Sequence, residues 1–220
     1  MKWIISNHKN ALDDDVVVDY VNTLNNVELN GINLVICPKD SHLSYFSGNY
    51  YLGCQDVNLS FADMKKNNIK FSIVGHSYKR KNYNESNILI NKKIKDLLIN
   101  GITPILCIGE EVNNNLKDTL LTELKEGLDG VSGDVIIAYE PVWAIGSGMI
   151  PNIEVLNDTV DFIDRQATRL LGRKPIILYG GSVNKDTITL LECVHELDGY
   201  LIGNASVEID KLVELIEVIK

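Results

Sequence analysis

The chain has 220 residues, 45% of them hydrophobic and 23% charged, and carries a formal net charge of −9. That is an ordinary globular composition with enough apolar mass for a sizeable core. The negative balance argues against nucleic acid or an anionic membrane as the main partner, but leaves room for a small anionic ligand at a locally positive site.

Short apolar runs alternate with longer amphipathic stretches from end to end. Runs at 2–6, 33–37, 50–55, 70–74, 103–108, 135–139, 175–179 and 199–202 predict eight strands, several of them apolar throughout, as in parallel strands covered on both faces. The intervening stretches predict helices: 15–25 behind an Asp-rich start, a short two-turn piece at 59–68, and 85–100, with Ile88, Leu89, Ile94, Leu97 and Leu98 at helical spacing. The segment after the fifth run looks trimmed. Helices then follow at 155–171, stopped by Gly172, at 186–194 and at 207–220. Eight such units predict a single (β/α)₈ barrel domain over residues 1–220. An open doubly wound sheet is the alternative, but no Gly-x-Gly-x-x-Gly follows the first run.

No apolar run is long enough to span a membrane, and residues 1–10 lack the pattern of a secretory signal, so a cytoplasmic chain is expected. The cysteines, Cys37, Cys54, Cys107 and Cys193, include no Cys-x-x-Cys pair and read as reduced thiols. His8, His42, His76 and His195 lack metal-ligand spacing; neither a metal nor a cofactor is expected.

In a barrel, function sits where strands end. The polar residues at those places are Asn7, His8 and Lys9, then Gly75-His76-Ser77, Gly109-Glu110, Glu140, Gly180-Gly181-Ser182 and Gly203-Asn204. Glu140 ends an apolar run and begins a loop, Pro141, Val142, Trp143, Ala144, Ile145, Gly146, Ser147 and Gly148. Proline stiffens one end, glycines free the other, and the middle is apolar, as in a lid beside a buried general base. A Glu capping a helix is the other reading. The two Gly-rich turns suit a phosphate, because small residues let N–H groups approach the anion; tight turns alone would also want glycine.

Over nearly its whole length the chain resembles the triosephosphate isomerase family. The resemblance rests on Asn7-x-Lys9, Val74-Gly75-His76-Ser77, Cys107-Ile108-Gly109-Glu110, the 139–148 block, Tyr179-Gly180-Gly181-Ser182-Val183 and Asp198-Gly199-Tyr200-Leu201-Ile202-Gly203. It implies aldose–ketose isomerisation of a triose phosphate of glycolysis and gluconeogenesis through an enediolate. Glu140 would move the proton and neutral His76 would polarise the carbonyl, a pairing for which this family is itself the standard case. Lys9 would supply positive charge and Asn7 a further donor. N–H groups around Gly146, Ser182, Gly203 and Asn204 would hold the phosphate. Residues 141–151 would close as the lid, with Ile145 and Leu201 pressing on Glu140, Tyr179 and Ser182 as latches, and Glu110 holding Trp143 when the lid is open. An isomerase of another small sugar phosphate, or a weakened sugar-phosphate-binding barrel, are the rival readings.

Three departures stand out. Tyr78 takes the place of an acidic residue that in the family neighbours the lysine. Asn204 replaces the second glycine of a phosphate turn. The stretch from Gln55 to His76 is too short for the family's long third loop, which speaks against the usual homodimer.

Overall fold

A computed structural model describes residues 1–111 and 115–219. Eight strands, β1 (Trp3–Asn7), β2 (Asn33–Cys37), β3 (Tyr51–Cys54), β4 (Ile69–Val74), β5 (Thr103–Ile108), β6 (Ile136–Tyr139), β7 (Ile176–Tyr179) and β8 (Gly199–Ile202), pair in sequence order and close into a barrel. All pairings are parallel, and β1 makes the closure: Trp3 lies opposite Asn33 on one side and Gly199 on the other. Gly199 has to be glycine, since a Cβ there would lie 1.9 Å from the Trp3 carbonyl oxygen.

Each strand alternates between two apolar surroundings. Ile5, Val35, Ile73, Ile105, Ala138 and Leu178 fill the barrel interior, while Ile4, Leu34, Ile36, Leu106 and Ile137 face the helices. That is why the runs are apolar without a break. The helices are α1 (Val17–Leu24), α2 (Phe61–Lys66), α3 (Ser77–Tyr83), α4 (Asn87–Ile99), α5 (Leu116–Gly127), α6 (Ile153–Leu171), α7 (Lys185–Leu191) and α8 (Ile209–Val218). Among the described residues no helix is long and apolar enough to cross a membrane.

Several local expectations are corrected. The Asp-rich start does not cap α1, whose N-cap, Val16, has no side-chain hydrogen bond; Asp14 instead pairs with Lys39 and His42, each at 2.7 Å. Only a 3₁₀ turn, Asp40–Tyr45, lies between β2 and β3. The stretch before β5 breaks at Asn84, a left-handed C-cap at φ 51°, and restarts on the Ser86 cap. The buried face of α4 is Ile90, Ile94 and Leu97, and Ile88 and Leu89 are exposed. The connection after β5 is not trimmed, since α5 runs three turns. The third connection is short as expected. Only residues 55–60 separate β3 from α2, which starts on the Ser60 cap.

Candidate active site

Glu140 stands at the end of β6 and is 3% exposed. Its N–H donates to the Ile108 carbonyl at 2.7 Å. Neighbouring glycines admit it: a Cβ on Gly109 would strike the Glu140 carbonyl oxygen at 1.8 Å, and one on Gly180 would lie 2.9 Å from its Cγ. The carboxylate points into the barrel mouth. Oε2 accepts the Ser77 N–H at 3.1 Å, and Oε1 is 3.2 Å from His76 Nε2. The carboxylate does meet a helix start, that of α3 two strands away, and not that of the helix that follows Glu140 in the chain.

His76 is the N-cap of α3, and its Nδ1 accepts the Tyr78 N–H at 3.2 Å. An Nδ1 that accepts leaves the proton on Nε2, so the ring is a neutral donor aimed at Glu140 and the cavity. Lys9 sits at φ 50°, and its N–H donates to Asn7 Oδ1 at 3.1 Å. Its ammonium lies over the turn after β8: a Cβ on Gly203 would come within 2.6 Å of Nζ. One cavity of about 650 Å³ collects Asn7, Lys9, His76, Glu140, Gly146, Ser182, Gly203 and Asn204, so the predicted catalytic and phosphate-side residues converge. Asn204 opens the 3₁₀ turn Asn204–Ser206 without a positive φ, so its tolerance of left-handed backbone is not what places it there. Among the described residues, no group of three or more His, Cys, Asp or Glu is placed to hold a metal ion.

The loop from Pro141 to Gly148 is held at both ends. Trp143 Nε1 donates to Glu110 Oε1 at 3.0 Å, and Tyr139 donates to the same oxygen at 3.2 Å. At the other end Ser182 Oγ donates to the Ala144 carbonyl at 2.6 Å and accepts the Gly148 N–H at 3.1 Å. Val142, Trp143 and Ala144 form a 3₁₀ turn, Ser147 Oγ donates back to Ala144, and Ile145 reaches the cavity. The Tyr179 hydroxyl is buried and has no hydrogen-bond partner among the described residues. Glu110 precedes α5 instead of starting it, and burial pushes its carboxyl above the usual range against the two donated bonds.

Sequence patterns did not reveal what supports these groups. Behind His76, Arg80 donates to the Gly75 carbonyl at 2.7 Å and the Cys107 carbonyl at 3.0 Å, and pairs with Glu123 at 3.2 Å. Glu123 in turn accepts the Gly109 N–H at 2.8 Å. Beside Lys9, the buried His8 ring meets Tyr20 Oη at 3.3 Å, and that hydroxyl donates to the Ser206 carbonyl at 2.6 Å. Ser206 Oγ donates on to the Gly203 carbonyl at 2.8 Å. The loop carrying Lys9 and the turn beneath its ammonium are thus joined through one tyrosine.

Burial, and secondarily the charge of His42, holds the His8 imidazole down at about 4. The folded value lies below the ordinary one, so between pH 4 and 6.5 the unfolded chain takes a proton that the folded chain refuses. Stability therefore rises with pH across that window, is complete above about 6.5, and falls by about 3 kcal/mol as pH drops toward 4. Urea midpoints measured from pH 4 to 7 should show this slope, and His8→Phe should flatten it. An equal slope in the variant would assign the acid sensitivity to other groups.

A carboxylate, an imidazole, a lysine and glycine turns gathered on one barrel rim fit a sugar-phosphate isomerase of the (β/α)₈ class. The family model for triosephosphate isomerase matches residues 2–219. The chain is 34% identical over 241 aligned residues to the triosephosphate isomerase of Mycoplasmopsis pulmonis, covering 97% of this chain and 96% of that one. Its identity to the Mycoplasma genitalium enzyme of the same name is 32% over 240 residues, covering 99% and 98%. With that of Mycoplasmoides gallisepticum it is 40% over 172 residues, covering 72% and 68%. The chain belongs to the triosephosphate isomerase family.

Proposed function

We infer that the chain interconverts glyceraldehyde 3-phosphate and dihydroxyacetone phosphate, and that it does so in the cytoplasm. The observation that carries this reading is the pairing of Glu140 Oε1 and His76 Nε2 at 3.2 Å on the wall of the shared cavity. A 3.2 Å contact leaves no space for a substrate between base and donor. The substrate carbonyl oxygen therefore replaces Glu140 as acceptor of the His76 proton, and the freed carboxylate turns to the C–H. Glu140 lifts a proton from one carbon, and the charge develops on the oxygen facing His76 Nε2. The proton then returns to the neighbouring carbon, and His76 moves the hydroxyl proton between the two oxygens. Lys9 holds positive charge between the phosphate turn and the reacting oxygens, with Asn7 beside it. The phosphate lies on the N–H groups of Gly146, Ser182, Gly203 and Asn204. Closing residues 141–148 over the site expels water, which makes the carboxylate a stronger base.

An assay with glyceraldehyde 3-phosphate, coupled to reduction of the product, tests this reading. Turnover is expected. Binding of a phosphate analogue with no turnover of any small sugar phosphate would overturn it.

We also read the chain as lacking the family's usual dimer. The 55–60 segment is committed inward: Asp56 pairs with Lys79 at 3.1 Å and Lys93 at 2.6 Å, and Lys93 also pairs with Glu85. Sedimentation should give a monomer, or an association through another surface. A dimer whose crystal interface is built on residues 56–66 would rule this out.

A further inference from the structure

A second cavity of about 630 Å³ opens on the far side of Lys9 and His76. It shares Asn7, Lys9, His76 and Ile145 with the reaction cavity, but neither glycine turn reaches it. One wall is the short segment after β3, through Gln55 and Asn58. The other is α3, through Tyr78, Lys79 and Tyr83.

Its charge separates it from its neighbour. Lys9, Lys79 and Lys81 line it and no carboxylate does, in a chain of net charge −9. The reaction cavity sets Lys9, Lys185 and Lys211 against Asp186, Glu208, Asp210, Glu214 and Glu140. Lys79 shares its charge with Asp56, and its Nζ lies 4.9 Å over the Tyr83 ring. Among the described residues, Lys9 and Lys81 have no carboxylate within ion-pair distance, although Lys81 also borders a cleft that holds Glu110, Glu111 and Glu123. A concave wall carrying one sign of charge concentrates the opposite ion, and the amides of Gln55 and Asn58 add neutral donors.

The two cavities meet at Asn7, Lys9, His76 and Ile145, so a ligand seated on the Gly203 turn and reaching past His76 enters the second chamber. We propose that the chamber takes the second anionic group of a ligand charged at both ends. The class is a small phosphorylated compound with another phosphate or a carboxylate three or four carbons away. One end lies on the Gly203 turn, the chain passes Lys9, and the far end meets Lys81 and Lys79. Such a ligand fills the substrate's place and inhibits competitively, with no covalent step.

The placement of one end rests on the phosphate role given above to the Gly203 turn, so the test keeps the two apart. Calorimetry would compare glycerol 3-phosphate with the bisphosphates of 1,3-propanediol and 1,4-butanediol. One bisphosphate is expected to bind at least about tenfold tighter than the monophosphate and to compete with glyceraldehyde 3-phosphate. Lys81→Met should cut that advantage to within about threefold, and its triose turnover serves as the control for folding. Equal affinities in the wild-type chain, an advantage that survives Lys81→Met, or inhibition that is not competitive would each overturn the proposal. Wild-type turnover without any bisphosphate advantage leaves the isomerase reading standing alone. A bisphosphate advantage without turnover leaves the second site standing alone.

Discussion

Glu140→Gln should lower kcat by on the order of 10³–10⁴-fold while leaving the binding of a phosphate analogue within about threefold. The amide matches the carboxylate in size, so the pocket made by Gly109 and Gly180 still closes around it. Its oxygen can still accept the Ser77 N–H. What it loses is the ability to take a proton from carbon. Glu140→Asp makes the complementary test, since it keeps the base and withdraws it by one methylene. The glycine-walled slot holds the backbone in place, so the shorter carboxylate cannot follow the substrate. A misplacement near 1 Å costs about 10²-fold. Coupled assays on both variants, with calorimetry on a phosphate analogue, read the two effects separately. A Glu140→Gln variant that keeps a tenth of the wild-type kcat would remove Glu140 from the proton-transfer role.

The residues that converge on the cavity were legible in the sequence because each sits where a run of one kind stops. Glu140 ends an apolar strand ahead of proline, His76 follows a glycine at the close of β4, and Gly203 closes β8. Strand ends are local events, and local patterns find them. The supports were not legible, because they join residues far apart in the chain. Tyr20 reaches Ser206 across 186 positions, and its place at a helical core spacing looks like that of any buried aromatic. Arg80 likewise braces the Gly75 carbonyl and, 27 positions away, that of Cys107.

The helix errors have separate origins. Ile88 and Leu89 begin α4 but lie off the stripe set by Ile90, Ile94 and Leu97, which repeat at i, i+4 and i+7. An Asp-rich stretch suits a cap by composition, but α1 begins after Val16, and Asp14, two residues short of that position, pairs with Lys39 and His42. Tyr78 is exposed, with its ring centroid 6.0 Å from that of Tyr83. With no acid at that position, Lys9 is held through its backbone by Asn7, by the His8–Tyr20–Ser206 link, and by the bare surface of Gly203.

His76 carries two roles that substitution can separate, because it both caps α3 and faces the cavity. His76→Asn keeps the cap, since asparagine is among the best N-cap residues, but its side chain is too short to reach the substrate oxygen. His76→Gln reaches further into the cavity but caps poorly, and should cost about 1 kcal/mol of stability. If the imidazole acts on the developing oxyanion, both variants lose about 10²–10³-fold in kcat with KM changed by less than about threefold, whatever their stability. Glutamine can donate to that oxygen, yet it cannot take a proton from one oxygen and return it to the other, so it offers no rescue. If the ring serves only to start α3, activity follows the cap: His76→Asn stays near wild type and only His76→Gln falls. Denaturation curves and steady-state kinetics on the same two proteins distinguish these outcomes. An active His76→Asn enzyme would reassign the electrophile to Lys9, whose ammonium also lines this cavity.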